Sequence, residues 1–331
     1  MKTKIVYCLV SNNKDYYYEQ LLISLCSLRK YNPDAAVFVV VDDKTYETLV
    51  DNRTKIFEYA SEIIKIIPPF EFGNAMRSRY LKTNMRDIID GDFLFIDTDT
   101  VICESLDDID DCEYEIGAVY DNHHGNIIED QLGYLPEGHE WHSLRGSVHY
   151  NSGVFYVKDT PNAHEFYHKW FKYWQEGAKI GFLFDQVPLR KTLLESGKNC
   201  VGELPGFWNC QVFRADSKPY WENAKILHCQ GIAPNVYFPM TAAKVYEDIK
   251  TTGNIPSDIQ NMLGGDKKNL LKKNIVIYGR DIEYFESSMH DICFDYPSFF
   301  SFLVKVSSMY RSLVRITYNA KVRFMHFLTR K

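Results

Sequence analysis

Several features are scarce in this 331-residue chain, and each scarcity excludes something. No apolar run is long enough for a membrane span or the core of a signal peptide. Met1-Lys2-Thr3-Lys4 leads directly into a strand-like segment, so the expected location is the cytoplasm, with peripheral attachment to the inner face of the plasma membrane as an option. No Cys-x-x-Cys pair occurs among Cys8, Cys26, Cys103, Cys112, Cys200, Cys210, Cys229 and Cys293. Scattered thiols of that kind belong to a reducing compartment and argue against a disulfide framework or a structural zinc. Neither Gly-x-Gly-x-x-Gly nor a Walker-type loop is present, so any nucleotide must have its phosphates held by something other than glycine-rich backbone. The net charge of -6 gives no reason to expect nucleic acid as a partner.

Aromatic residues are plentiful instead, with 23 Tyr and 21 Phe, and the length suits two units or one α/β domain with additions. Charge is unevenly spread. From Pro297 to Lys331 there are seven Lys or Arg and no Asp or Glu, which leaves the first 296 residues at -13. Such asymmetry marks a basic tail with a partner of its own.

The pattern along the chain is that of alternating strands and helices. Ile5 to Val10 reads as a buried strand, followed by the polar break Ser11-Asn12-Asn13-Lys14-Asp15. Tyr18, Leu21, Leu22, Leu25 and Leu28 recur at helical spacing, and Asn32-Pro33-Asp34 ends that helix before the strand Val37 to Val41. Strand, helix, strand with short turns implies a parallel start to the sheet. A short strand at Ile63 to Ile67 and a helical stripe at Leu81, Met85, Ile88 and Ile89 lead to Phe93-Leu94-Phe95-Ile96-Asp97-Thr98-Asp99-Thr100.

That last stretch is the centre of the sequence. Four apolar residues without alternation read as a buried strand, and two carboxylates one residue apart stand where it ends, the edge at which α/β sheets place ligands. Two readings are open. Asp97 and Asp99 could bind one hard divalent cation with positions left for phosphate oxygens, or they could form a solvated turn.

Beyond it, Glu115 to Tyr120 reads as a strand, and His123 to Tyr150 as a long polar loop whose aromatics, Tyr134 and Trp141 among them, would stack on a sugar. Tyr150-Asn151-Ser152-Gly153 reads as a polar turn entering the strand Val154 to Val157. The helix from about Asn162 to Gly177 carries a face of Phe166, Trp170, Phe171 and Trp174, expected to be core. Asp185 stands where it would cap a helix beginning at Gln186. Leu204 to Gln211 reads as a loop, and Lys225 to Gly231 as a short strand with His228 near its end.

In this order the landmarks resemble a GT-A glycosyltransferase, most closely the retaining enzymes of glycosyltransferase family 8, over about residues 4 to 232. The resemblance rests on the turn from Val10 to Asn13, Asp97 and Asp99, Asn151-Ser152-Gly153-Val154, Asp185-Gln186, Leu204-Pro205 with Trp208-Asn209, and His228-Cys229-Gln230-Gly231. It implies an α/β fold with a Rossmann-like mixed sheet flanked by helices, and a UDP-sugar donor. It further implies one Mn²⁺ or Mg²⁺ on Asp97, Asp99 and His228. Val10, Ser11, Asn12, Arg79, Asp97, Thr98, Asn151, Ser152 and Gly231 would contact the donor, with Arg77 and Lys82 as rivals of Arg79. Gln186 and Asp185 would stand at the reacting carbon, Gln186 as stabiliser of an oxocarbenium-like transition state. Two landmarks depart from the family: the first turn is Ser11-Asn12-Asn13 instead of an acidic pair, and Ile232-Ala233 follows Gly231 where Lys-Pro is usual.

The implied organisation is a catalytic domain over 1–234, an extension of unassigned role over 235–296 with a strand-like stretch at Asn274 to Tyr278, and a basic amphipathic helical tail over 297–331. Phe302, Val306, Met309, Leu313, Ile316, Ala320, Phe324 and Phe327 form the apolar stripe of that tail. An anionic membrane surface is its expected partner, a subunit or domain surface the alternative. The implied activity is transfer of a sugar to a glycan or lipid-linked acceptor in surface polysaccharide or lipooligosaccharide synthesis. A sugar-nucleotide pyrophosphorylase and a non-catalytic sugar-nucleotide binder are the alternatives, the former disfavoured because Ser11 to Asp15 is neither glycine-rich nor basic.

Overall fold

The computed structural model describes residues 1–68, 72–123, 130–197, 200–212, 215–229, 242–263 and 265, together with 299, 302–303, 305–307 and 309–310. Gly231, Cys293 and the strand expected at Asn274 to Tyr278 lie outside them. The chain divides into two compact units, Met1–Ile275 and Val276–Lys331.

In the first unit, β1 (Lys4–Leu9) runs into α1 (Tyr17–Tyr31) and β2 (Val37–Asp42). Two short helices follow, α2 (Asp43–Glu47) and α3 (Ile56–Tyr59), then β3 (Glu62–Ile66), α4 (Asn74–Thr83), α5 (Met85–Ile88) and β4 (Phe93–Ile96). Next come β5 (Thr100–Ile102), β6 (Ile116–Tyr120), β7 (Tyr150–Val157), α6 (Pro161–Lys179), α7 (Gln186–Ser196), β8 (Gly202–Glu203), β9 (Cys210–Gln211) and β10 (Ile226–His228). The described part of the unit closes with α8 (Ala243–Thr252) and α9 (Ser257–Leu263).

Seven strands form one mixed sheet in the order β3-β2-β1-β4-β7-β6-β8. β1, β2, β3 and β4 are parallel, whereas β7 runs antiparallel to both β4 and β6. Successive strand residues face opposite sides. Thus Ile5, Tyr7 and Leu9 join Leu21, Leu25 and Leu28 of α1 in one core, while Val6, Phe93, Phe95 and Phe155 join Leu81, Met85, Trp170 and Leu189 in another. Helices therefore cover both faces, which is why β1, β2 and β4 read as unbroken apolar runs.

Some expectations need correction. Asn151 and Ser152 are not in a turn before the strand; they lie within β7, buried along its whole length between β4 and β6. The long segment before β7 is not an open polar loop where described. It folds as 3-10 turns at Asp130–Tyr134 and Glu140–Leu144, and Leu132, Leu135, Trp141 and Leu144 pack with Tyr173, Phe182 and Val187 into a small core of their own. Trp141 is thus core, whereas Tyr134 is 71% exposed beside Phe184. Within the stretch read as an extension, Tyr246, Ile249, Ile255, Ile259 and Leu263 belong to the α1-side core.

In the second unit the described residues from 299 to 310 are helical, with Phe299, Phe302, Val306, Met309 and Tyr310 exposed. No helix among the described residues is long and apolar enough to cross a membrane.

Candidate active site

The site forms where β4 ends, because three neighbours converge there. The backbone nitrogen of Asp97 donates to Gly153 O at 2.7 Å, which continues the β4–β7 ladder past Ile96 and fixes the start of the acidic turn. Thr100 Oγ1 donates to Asp97 O at 2.9 Å and closes that turn. β5 then pairs antiparallel with β10, placing His228 opposite Thr100, and Cys229 N donates to Asp99 O at 2.8 Å. Sheet pairing alone thus brings residue 228 against residue 99, although 129 positions separate them.

The result is one group of potential ligands. An oxygen from each of Asp97 and Asp99 and a ring nitrogen of His228 all lie within 4.8 Å of one another, and His228 Nε2 is 3.3 Å from Asp99 Oδ1. Two partly exposed carboxylates and one buried imidazole make a donor set of hard oxygens with one borderline nitrogen, which fits Mn²⁺ better than Mg²⁺. Burial by itself would lower the pKa of His228, but the charge of Asp99 and its hydrogen bond outweigh that, and the net shift is upward.

A cavity of about 560 Å³ opens beside the group, lined among others by Val10, Tyr17, Asn74, Ser78, Arg79, Lys82, Asp97, Thr98 and Asp99. Of the residues read from the sequence as donor contacts, Val10, Arg79, Asp97 and Thr98 line it. Cys8 lines it too, but burial pushes its thiol up to about 12, so it offers no nucleophile near neutrality.

The three basic residues of α4 separate by helical geometry. Arg79 and Lys82, three positions apart, share a face, whereas Arg77 points elsewhere. Arg77 is buried against Asp42 and Asp43 at the end of β2 and ties α4 to that strand. Lys82 Nζ lies 3.0 and 3.2 Å from the two oxygens of Asp97, and 3.6 Å from Asp185 Oδ2. Arg79 Nε lies 3.0 Å from Asp185 Oδ1.

Asp185 is therefore not the helix cap it resembles. It occupies the position before α7, yet its carboxylate makes no capping bond and instead meets Arg79, Lys82 and the Ser152 hydroxyl, which donates at 2.9 Å. The Trp170 indole holds its carbonyl at 2.9 Å. Burial favours the neutral acid, but Lys82 and Arg79, with Ser152, more than compensate and keep Asp185 at about 2. Gln186 begins α7, and its Oε1 accepts from Gln131 Nε2 at 2.7 Å.

Other expected contacts face protein partners. Ser11 Oγ and Asn12 N both donate to Asp15, while Arg53 donates to Ser11 Oγ and Asn12 O, so the first turn is built around its own hydrogen bonds. Asn151 is buried and bonded to Asp121, Gly153 and Asn209. Gly231 lies outside the described residues. Asn209, whose Oδ1 lies 2.9 Å from His228 Nδ1, had no role in the sequence beyond the Trp208-Asn209 landmark, and Asp121 had none. That landmark was the available signal for Asn209.

No family model and no curated protein sequence matches this chain. Among solved structures it is similar to the apo form of the bifunctional glycosyltransferase WbbM, with TM-score 0.50 and 15% identity over 78% of this chain. The match spans half the length of WbbM. Galactosyltransferase LgtC bound to donor and acceptor sugar analogues matches at TM-score 0.47 and 15% identity, over 77% of this chain and 98% of that one. Glycosyltransferase GlyE of Streptococcus pneumoniae matches at TM-score 0.44 and 15% identity, over 82% and 66%. The likeness to WbbM, with the mixed sheet described above, gives this chain the GT-A fold. Fold alone leaves the chemistry to be argued from the site.

Proposed function

We propose that the chain is a metal-dependent glycosyltransferase that moves a sugar from a UDP-sugar to a glycan or lipid-linked acceptor, with retention, in the synthesis of surface polysaccharide or lipooligosaccharide. The observation that carries the reading is the convergence of Asp97, Asp99 and His228 beside a cavity that Arg79 and Lys82 also line.

In this reading Asp97, Asp99 and His228 hold Mn²⁺, which supplies a Lewis acid to the diphosphate leaving group. Arg79 and Lys82 add fixed positive charge on the same wall, aimed where negative charge grows as the glycosidic bond breaks. Asp185 is enclosed by Arg79, Lys82 and Ser152, and so orients those cations instead of attacking the sugar. Gln186, oriented by Gln131, offers its amide oxygen to an oxocarbenium-like transition state. An amide is too weak a nucleophile for a covalent intermediate to be preferred, which favours front-face transfer with departing phosphate assisting deprotonation of the acceptor.

The exposed apolar residues at 299, 302, 306 and 309, with the basic residues of the tail, suit docking on an anionic membrane that carries a lipid-linked acceptor. Co-sedimentation with phosphatidylserine vesicles, weakening with salt, tests that attachment; equal binding to neutral vesicles would contradict it.

The activity is tested by incubating the purified chain with Mn²⁺, a panel of UDP-sugars and a set of glycan and lipid-linked acceptors, and following UDP release and the anomeric proton of any product by NMR. An α donor should yield an α linkage. A β linkage would exclude retention, and absence of both hydrolysis and transfer across the panel would favour a non-catalytic binder.

A further inference from the structure

A buried line of hydrogen bonds leads from the Asp121 carboxylate to the imidazole of His228, and the Gly153 backbone nitrogen together with Asp121 fixes every direction within it. Asn151 stands in the middle. Its Oδ1 lies 2.9 Å from the backbone nitrogen of Gly153, which can only donate, and its Nδ2 lies 2.8 Å from Asp121 Oδ1, which as a carboxylate can only accept. The Asn151 amide therefore has one permitted orientation. Asn209, 2.9 Å from that same Asn151 Oδ1, must present Nδ2 to it, which leaves its own Oδ1 facing His228 Nδ1 at 2.9 Å. An amide oxygen cannot donate, so the Nδ1 atom of His228 carries a proton. In the neutral ring the lone pair is then on Nε2, the atom 3.3 Å from Asp99. All four side chains are nine-tenths buried or more, so bulk water does not compete for these groups.

We propose that Asn209 is a positioning residue of the cation site, which sets the tautomer and aim of His228 through a relay anchored by Asn151 and Asp121. The role rests on the reading of Asp97, Asp99 and His228 as cation ligands. The physical reason is general: an imidazole ligand needs its second nitrogen committed to an acceptor, which orients the ring and raises the basicity of the atom facing the ion. A free histidine side chain prefers the proton on Nε2, the tautomer with no lone pair to offer beside Asp99. The relay reverses that preference. It also gives Asn151 a use that does not involve touching the donor.

The test uses the full chain without nucleotide and two readouts. Mn²⁺ affinity is followed by electron paramagnetic resonance of the free ion, and the His228 tautomer by long-range ¹⁵N–¹H correlation at alkaline pH, where the ring is neutral. Asn209→Leu removes both hydrogen bonds at similar volume. It should weaken Mn²⁺ binding by about 10- to 100-fold and move the proton to Nε2. Asn209→Asp keeps an acceptor for Nδ1 and should retain the Nδ1–H tautomer. If Asn209→Leu binds Mn²⁺ normally with the tautomer unchanged, the proposal is overturned. If Asn209→Leu does not fold, the unaltered chain still decides the matter, because an Nε2–H tautomer there contradicts the relay. Should the unaltered chain show Nδ1–H yet bind no Mn²⁺, the cation reading falls, and the role of Asn209 in it, while the relay itself stands.

Discussion

Gly153 and His228 touch so closely that a β-carbon on residue 153 would lie 2.2 Å from His228 Cε1 and 2.8 Å from Nδ1. Neither neighbour can give way easily. The ring is held between Asn209 and Asp99, and Gly153 is locked in β7, where its carbonyl fixes Asp97. Glycine at this position is a requirement of close approach, not of backbone conformation.

Gly153→Ala should therefore act on the ligand group before it acts on the fold. Overpacking of this kind costs about 1–3 kcal/mol. Expected outcomes are a modest loss of stability in denaturant unfolding and a larger loss of Mn²⁺ affinity, as the ring is pushed off its line to Asp99. Unchanged Mn²⁺ binding would mean that His228 does not contribute.

Asp185 carries a pH dependence whose sign follows from its direction of shift. Its folded pKa of about 2 lies below the ordinary 3.8 because Lys82 and Arg79 outweigh burial. The contribution is present above about pH 4 and is lost as pH falls through 2. It amounts to about 2 kcal/mol, from the size of the shift. Asp185→Asn should lower stability by that order at pH 7, with the difference from the unaltered chain shrinking between pH 4 and pH 2 in denaturant titrations. A difference independent of pH would assign the loss to packing.

Lys82 is both a neighbour of the proposed ligand Asp97 and a lining group of the cavity. Its removal should have opposite effects on the two ligands. Lys82→Met relieves Asp97 of a competing cation and should tighten Mn²⁺ binding by at least about tenfold, since screening near a protein surface still leaves several kcal/mol between charges this close, while weakening UDP. Calorimetry with Mn²⁺ alone, and with UDP at saturating Mn²⁺, reads both signs. Parallel loss of the two would make Lys82 a structural residue.

The layout of these residues was partly legible in the sequence. Phe93 to Ile96 announced a strand buried on both faces, and a buried strand ending in two carboxylates has few places to be other than the ligand edge of a sheet. Arg77, Arg79 and Lys82 stood as rivals in the sequence, and the structure separates them: Arg79 and Lys82 share the cavity face of α4, while Arg77 is taken by Asp42 and Asp43. What was not legible depends on pairing across the chain. Asp185 has the sequence context of a cap, and only the approach of α4 shows its carboxylate spent on Arg79 and Lys82. Trp141 could have been a sugar platform or core, because an aromatic in an irregular segment has no period to assign its face. The amides of Asn151 and Asn209 are further still from pattern: they lie 58 residues apart, and their hydrogen bond exists only because β7 and the turn before β9 meet.

In the proposed function, Asp97, Asp99 and His228 form a cation-dependent donor site. Calorimetric titration of UDP into the full chain, with and without Mn²⁺ and repeated on Asp99→Ala, tests it most directly. UDP should bind with Mn²⁺ present, and binding should be lost when either the metal or the Asp99 carboxylate is removed. UDP binding that is indifferent to both Mn²⁺ and Asp99 would contradict the claim.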